Sequence, residues 1–334
     1  MSKMKRLKSA GLLCAALFLF AMAGNAQTKE DVVKAFNQGV AAFKTNDFVK
    51  ATESFQQVID LGTKVGTEAD TLRGKAEKFV PGLQFKVAAG IIGNKASTSA
   101  DMLASLQKTI DLATKYGDNE TAAKAKKIIP QIYTKMATDA FKANDLPTAL
   151  TNFDKVIELD PNNIKALVSK GVIYRKQNAT DLNIATMQKI IELGTKLSDT
   201  VSVKNAKEVL AGEHMKTANA AYVKSDFKGA IAPAEEALKY DPKNATAYYI
   251  LAFSHNKLKE YDEALAAIEK GIPFENPAKE QVARFYYEKG VALKAKGDKE
   301  HALEAFKLAS AGKFLAPAAL QIKDINKPVV PAKK

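Results

Sequence analysis

The sequence predicts an all-α solenoid of about seven antiparallel helix pairs, some with elongated helices. Three observations carry that prediction. Apolar residues recur at spacings of three and four through most of the chain, and no run alternates with period two, which favours helices over strands. Small residues return at a fixed phase in successive segments. Five stretches begin alike and end in two ways: VIELDPNN from 156 and ALKYDPKN from 237, against VIDLGTK from 58, TIDLATK from 109 and IIELGTK from 190.

Residues 1–26 stand apart from the helical pattern. Lys3, Lys5, Arg6 and Lys8 precede the apolar run from Gly11 to Ala23, and Gly24-Asn25-Ala26 forms a small-x-small site. A secretory signal peptide cut before Gln27 is therefore expected, with a periplasmic or outer-envelope location for the product. The run of about 13 residues falls short of the roughly 20 needed to span a bilayer, so no retained membrane helix is expected. Cys14 is the one cysteine. Leu13 before it does not suit a lipobox, so the exported chain is expected to lack cysteine, which excludes disulfides, thiolate metal sites and cysteine nucleophiles.

The chain has 50 Lys and Arg residues against 37 acids, a net charge of +13. Removing the leader leaves 46 bases against the same 37 acids, or +9. The excess is lysine scattered among acids, as on a solvated helical surface, and no basic cluster or module points to nucleic acid.

From residue 31 the helices come in pairs. Five second helices carry Ala51, Ala149, Ala230, Ala264 and Ala302, followed four residues on by Phe55, Phe153, Ala234, Ile268 and Phe306. A small residue and its i+4 neighbour share one helix face, the first admitting the partner helix and the second filling the space beside it. Twelve residues earlier lie Gly39, Ala137, Ala218, Ala252 and Gly290, the matching contacts on the first helices. Between the two helices an acid recurs, as Asp47, Asp145, Asp226, Glu260 and Asp298, placed to cap the second helix.

This pattern resembles the tetratricopeptide repeat family, whose unit of about 34 residues carries small residues at these two positions and a proline at its end. The match is strongest from Pro130 to Asn163 and in the units starting at Ala245 and Ala283. In the unit containing Gly171 and Tyr174 the second helix reads as shifted, because Asn183 stands where alanine is expected. The segment from Pro81 to Lys115 has Ala88 but Met102 in place of the second small residue.

The two endings then have a meaning. Asp-Pro-x-Asn stops a helix, since proline disfavours helix in the residue before it and suits the first turn of the next. The Thr-Lys ending carries the helix on, and each instance is followed by a second shared phrase: AEKFVP at 76, AKKIIP at 125 and AKEVLA at 206. Residues 58–81, 109–130 and 190–211 thus read as three long joints, either a protruding ridge or a lengthened core. After about 310, GKFLAPAALQIKDIN reads as one closing helix covering the last apolar face, and KPVVPAKK as a frayed basic tail. The domain reading is a leader over 1–26, the solenoid over 27–310 and the closing helix with its tail over 311–334.

Catalytic groupings are sparse. His214, His255 and His301 are far apart and lack acids at metal-ligand spacing. GIIGNKAST, residues 90–98, misses the phosphate-loop spacing, because Asn94 separates Gly93 from Lys95 and Ala96 separates Lys95 from Ser97; a turn is the expected structure. No enzyme activity, cofactor or metal is expected.

The family resemblance implies a peptide or helix held in the groove made by successive first helices. Its groove positions fall here on Asn219 and Tyr222, then on Tyr249, Ile250, Phe253, Asn256 and Lys257, then on Arg284, Tyr287, Glu288 and Lys294. Rings beside Arg and Lys have the composition of binding hot spots. The clamp with which some members grip a C-terminal carboxylate is incomplete, since Ile250 and Glu288 occupy two of its positions and Lys216 lies one position late. With the expected leader placing it in the bacterial cell envelope, the resemblance implies a non-catalytic adaptor that binds a protein partner. An envelope component recognising glycan or peptidoglycan through the same groove is the alternative.

Overall fold

Short connections between helices recur through the chain with nearly the same backbone each time. The computed structural model describes residues 27–327; the leader expected at 1–26 and the terminal residues 328–334 lie outside the described residues. Those described form fifteen α-helices and no strand. They divide into two compact units, within residues 1–160 and 161–334.

The first unit contains α1 (Lys29–Lys44), α2 (Phe48–Val65), α3 (Asp70–Gly93), α4 (Ser99–Lys115), α5 (Asn119–Lys142) and α6 (Leu146–Leu159). The second contains α7 (Ile164–Lys176), α8 (Thr180–Lys196), α9 (Thr200–Val223), α10 (Phe227–Tyr240), α11 (Ala245–Leu258), α12 (Tyr261–Gly271), α13 (Lys279–Ala295), α14 (Lys299–Leu308) and α15 (Leu315–Ile325). Within each unit the helices pack in chain order as antiparallel hairpins. Three pairs in the first and four in the second make the seven of an α-solenoid.

The turns of the first, third and fifth pairs have two parts. Asn46, Asn144 and Ser225 take left-handed φ values of 59°, 61° and 62°. The next residue, Asp47, Asp145 or Asp226, accepts a hydrogen bond from the backbone N–H of Lys50, Thr148 or Gly229, satisfying one of the free donors at the helix start. Gly297 and Asp298 repeat the arrangement ahead of α14. Glu260 departs from the expected role. It makes no cap bond, and its carboxylate lies 2.7 Å from Nδ1 of His255, the extra methylene carrying it past the N–H groups of α12.

The small residues of the repeat sit where the helices cross. Ala51, Ala149, Ala230, Ala264 and Ala302 are fully buried, as are Ala88, Ala137, Ala218 and Ala252 opposite. A Cβ at Gly290 would lie 2.7 Å from the Phe306 ring, so glycine is needed for that close approach. Asn183 corrects the shifted reading of the fourth pair. It is buried at the alanine position, fourth in α8 as Ala149 is fourth in α6, and its amide reaches Glu213 at 3.3 Å. The helix keeps its phase with the Asn183 amide tied to Glu213, and the close approach to Gly171 opposite is made by Met187, whose Cε leaves no room for a Cβ there.

The two endings give joints of different build. Asp160 and Asp241 end α6 and α10 after 14 residues, and Asn163 and Asn244 then cap α7 and α11. The Thr-Lys endings give helices of 18, 17 and 17 residues, each followed by one of 24. Pro130 and Pro81 therefore lie inside α5 and α3, the helices running past the repeat boundary on that side as the long-joint reading has it. The overruns lengthen the core rather than forming a free ridge. Gly62 packs on Ala69 and Arg73, Gly194 packs on Val203, and Ala76, Ala125 and Ala206 are buried. Of the stretch 90–98, residues 90–93 close α3 and only 94–98 form the turn to α4, with Thr98 accepting from Asp101 N–H as its cap.

α15 lies on α13 and α14. Ala318 is buried there with Ala302, Phe306 and Ala309, while Ile322 and Ile325 pack at the edge.

Candidate binding face

The first helices α9, α11 and α13 bring most of the groove candidates together. Tyr222 of α9 and Phe253 of α11 meet edge to face at 5.1 Å between ring centres, and Tyr249 lies 6.1 Å from Phe253 and 6.4 Å from Tyr222. Phe227 adds a fourth ring at 5.6 Å from Phe253. Such offset and edge-to-face pairs match the charge distribution of aromatic rings. Two cations border the cluster: Lys257 Nζ lies 4.9 Å from the Phe253 centre, and the Arg284 guanidinium 4.7 Å from that of Tyr249. Asn219, one turn before Tyr222, is exposed, as is Lys257.

Other candidates are committed to the fold. Asn256 is buried, and its amide donates to the backbone carbonyl of Glu288 at 3.0 Å and to that residue's carboxylate at 2.8 Å. Neither it nor Ile250, also buried, offers itself to a partner. Glu288 is buried as well, and burial raises its carboxyl above the ordinary range, against the pull of the Asn256 hydrogen bond and Lys257. Burial, and next the Glu288 charge, pushes the Tyr249 phenol up too. Arg284 is held by the Glu275 carboxylate, a partner that the repeat spacing gave no means of finding. Tyr287 packs between Phe306 and Phe314, and Lys294 donates to Gln321 at 2.7 Å and pairs with Asp324, both from α15. The nine residues thus separate into a half-exposed patch on α9 and α11 and a set that fixes α13 in place.

The histidines are occupied elsewhere. His214 stacks on Tyr240 at 5.9 Å, and His301 Nδ1 lies 2.8 Å from Asp298. Among the described residues no group of three or more His, Cys, Asp and Glu could hold a metal ion, and no helix is long and apolar enough to cross a membrane.

Models of the tetratricopeptide repeat match residues 134–197 and 215–280, and a further one matches 283–310. The chain carries tetratricopeptide repeats. The matched segments overlap the three units in which the sequence pattern is strongest and include the whole half-exposed patch. The chain is 38% identical over 89 residues to small glutamine-rich tetratricopeptide repeat-containing protein 2 of Saccharomyces cerevisiae, a match covering 27% of this chain and 25% of that protein. It is 24% identical to stress-induced-phosphoprotein 1 of Caenorhabditis elegans, over 38% of this chain and 56% of that protein. It therefore spans about a quarter and about half of the lengths of these relatives. Among solved structures, the TPR2AB domain of yeast Sti1 in complex with an Hsp90 peptide covers 89% of this chain at 17% identity and a TM-score of 0.31. YrrB, described as a tetratricopeptide protein with an unusual peptide-binding site, covers 58% at 19% identity and the same TM-score. At such scores these likenesses say nothing further about this chain.

Proposed function

We propose that this chain is a non-catalytic adaptor of the bacterial cell envelope, exported by residues 1–26, which binds a peptide or helix of a partner protein on the face of α9 and α11. One observation supports the reading above the others: Tyr222 and Phe253 stand half-exposed beside Lys257 on adjacent first helices, an apolar anchor site with a cation at its edge. Tetratricopeptide proteins mediate protein–protein interactions, which supports a binding role for the repeats. The alternative, glycan or peptidoglycan on the same face, draws on the same two rings, since a sugar ring can stack where an apolar side chain can.

The test is capture by the chain beginning at Gln27, comparing the unaltered protein with Asn219→Ala combined with Lys257→Glu. Both positions are exposed, so the helical circular dichroism and melting curve should stay unchanged while a specific protein disappears from the captured set. Retention on purified peptidoglycan, lost in the same variant, would instead favour the glycan reading. Capture that is indifferent to the double variant would remove this face from consideration. The export reading is checked separately, by the N-terminal residue of the protein recovered from cells.

A further inference from the structure

A pocket of about 340 Å³ lies among α2, α3 and α4 of the first unit, and its floor is polar. Gln84 and Ser105 are only 3% and 7% exposed, and the Gln84 amide donates to the Ser105 hydroxyl at 3.3 Å. That bond leaves a second N–H and the oxygen of the amide unused. Gln84 Oε1 accepts nothing from the described residues, yet it is not sealed in as Tyr116 Oη and Ser254 Oγ are, so it opens on the pocket that Gln84 lines.

The second pair departs here from those after it. Four residues before the small residue of the first helix, where Gln84 precedes Ala88, later pairs carry Tyr133, Leu167, His214, Tyr248 and Tyr286. An amide is smaller than these rings, and a buried amide with open valences is costly unless something meets them. The place is also far from the groove. Counted from the small residue, Tyr249 stands three before, Phe253 one after and Tyr222 four after, whereas Gln84, Val87 and Ile91 stand four before, one before and three after. At about 100° per residue the two sets occupy opposite sides of a first helix.

The lining narrows the ligand. Val49, Val87 and Ile91 make aliphatic walls, and no ring is among the lining residues. Glu53 and Asp101 are exposed at the rim against one cation, Lys108, a balance that disfavours anions and suits hydroxyl groups, which donate to carboxylates. The complement of the Gln84 amide is a second amide, with an N–H for Oε1 and a carbonyl for Nε2. The volume lies at the small end for ligand pockets and holds a single ring. We infer that this pocket binds an N-acetylated sugar, its acetamido group paired with Gln84, its methyl group on Val87 and Ile91, and its hydroxyls toward Glu53 and Lys108. The site is independent of the face of α9 and α11.

The probe is methyl N-acetyl-β-D-glucosaminide, titrated into the whole chain from Gln27 and followed by saturation-transfer NMR. Methyl β-D-glucoside and N-acetylglycine amide serve as controls. Saturable binding is expected with a Kd on the order of 1 mM, the acetyl methyl protons receiving the largest transfer and both controls binding roughly tenfold more weakly. Gln84→Leu removes both amide contacts at similar size and should weaken binding roughly tenfold. If that buried change disturbs folding, Glu53→Ala with Lys108→Ala decides: both positions are exposed, so melting should hold while binding falls about threefold. Asn219→Ala with Lys257→Glu should leave the titration as it was, and a loss in that variant would assign the sugar to the other face and overturn the proposal. It is equally overturned by no saturation at about 20 mM, by the glucoside binding as well, by the acetylglycine amide binding as well, which would mark a peptide site, or by indifference to Gln84→Leu.

Discussion

The joints of α8 with α9 and of α10 with α11 lie in the same unit and solve one problem in opposite ways. The second stops its helix with Asp241-Pro242 and restarts at Asn244, leaving both helices at 14 residues. The first runs α8 to 17 residues and α9 to 24, and closes through Ser198 in the left-handed region with Asp199 as cap. Only the long joint extends two packed helices beyond the repeat. The choice between them lies in two residues, Asp-Pro or Gly-Thr, after an otherwise shared phrase.

The largest expected effect comes from converting one joint into the other. Gly194→Asp with Thr195→Pro writes the short ending into α8, removing its last turn and the contact of Gly194 with Val203. A loss of about 3 kcal/mol or more in denaturant unfolding is expected; an unchanged midpoint would mean that the overrun contributes nothing to the core. Next comes Ala264→Leu, at a fully buried crossing in α12, expected to cost about 1 to 3 kcal/mol through overpacking. A wild-type melting curve would show that the crossing has slack.

The turns offer a finer contrast. Asp226→Ala removes a cap and should cost about 1 kcal/mol, whereas Glu260→Ala, at the matching place without a cap bond, should cost much less. Equal losses would mean that capping is not what distinguishes them. Acid should act on the caps together. Hydrogen bonds from the third residue on hold Asp118, Asp145, Asp199 and Asp298 below the ordinary carboxylate range. Their folded-state pKa values are depressed, so the stability they add is present above the unfolded pKa of about 3.9 and fades as pH falls through the lower folded values. Melting temperature measured downward from pH 5 checks the sign. The smallest effect should be a gain. Lys259 takes a φ of 66°, where Gly297 serves in the last pair, and Lys259→Gly should stabilise by about 0.5 kcal/mol in the same unfolding assay. A loss instead would show that the lysine side chain matters more than its backbone strain.

Helix pairing and its phase were legible in the sequence because close crossings demand small residues, and these recur as Ala51, Ala149, Ala230, Ala264 and Ala302. The joints were legible because Asp-Pro has one backbone meaning. Asn183 misled because a larger polar residue can hold the alanine position where its amide finds a partner, here Glu213, and that partner lies 30 residues away in the sequence. The candidate face was half legible. Repeat spacing places Tyr222 and Phe253 correctly, but inward-facing Asn256, and Arg284 and Lys294 tied by Glu275 and Asp324, depend on contacts from outside the repeat pattern.

Within each unit a helix touches chiefly those beside it in the chain. Few distant segments have to find one another, so assembly can begin at any hairpin and spread to its neighbours. The same arrangement has a mechanical side: tension applied to the two ends of a unit would peel hairpins away one after another, and a partner bridging two adjacent hairpins would act as a local brake on that unravelling.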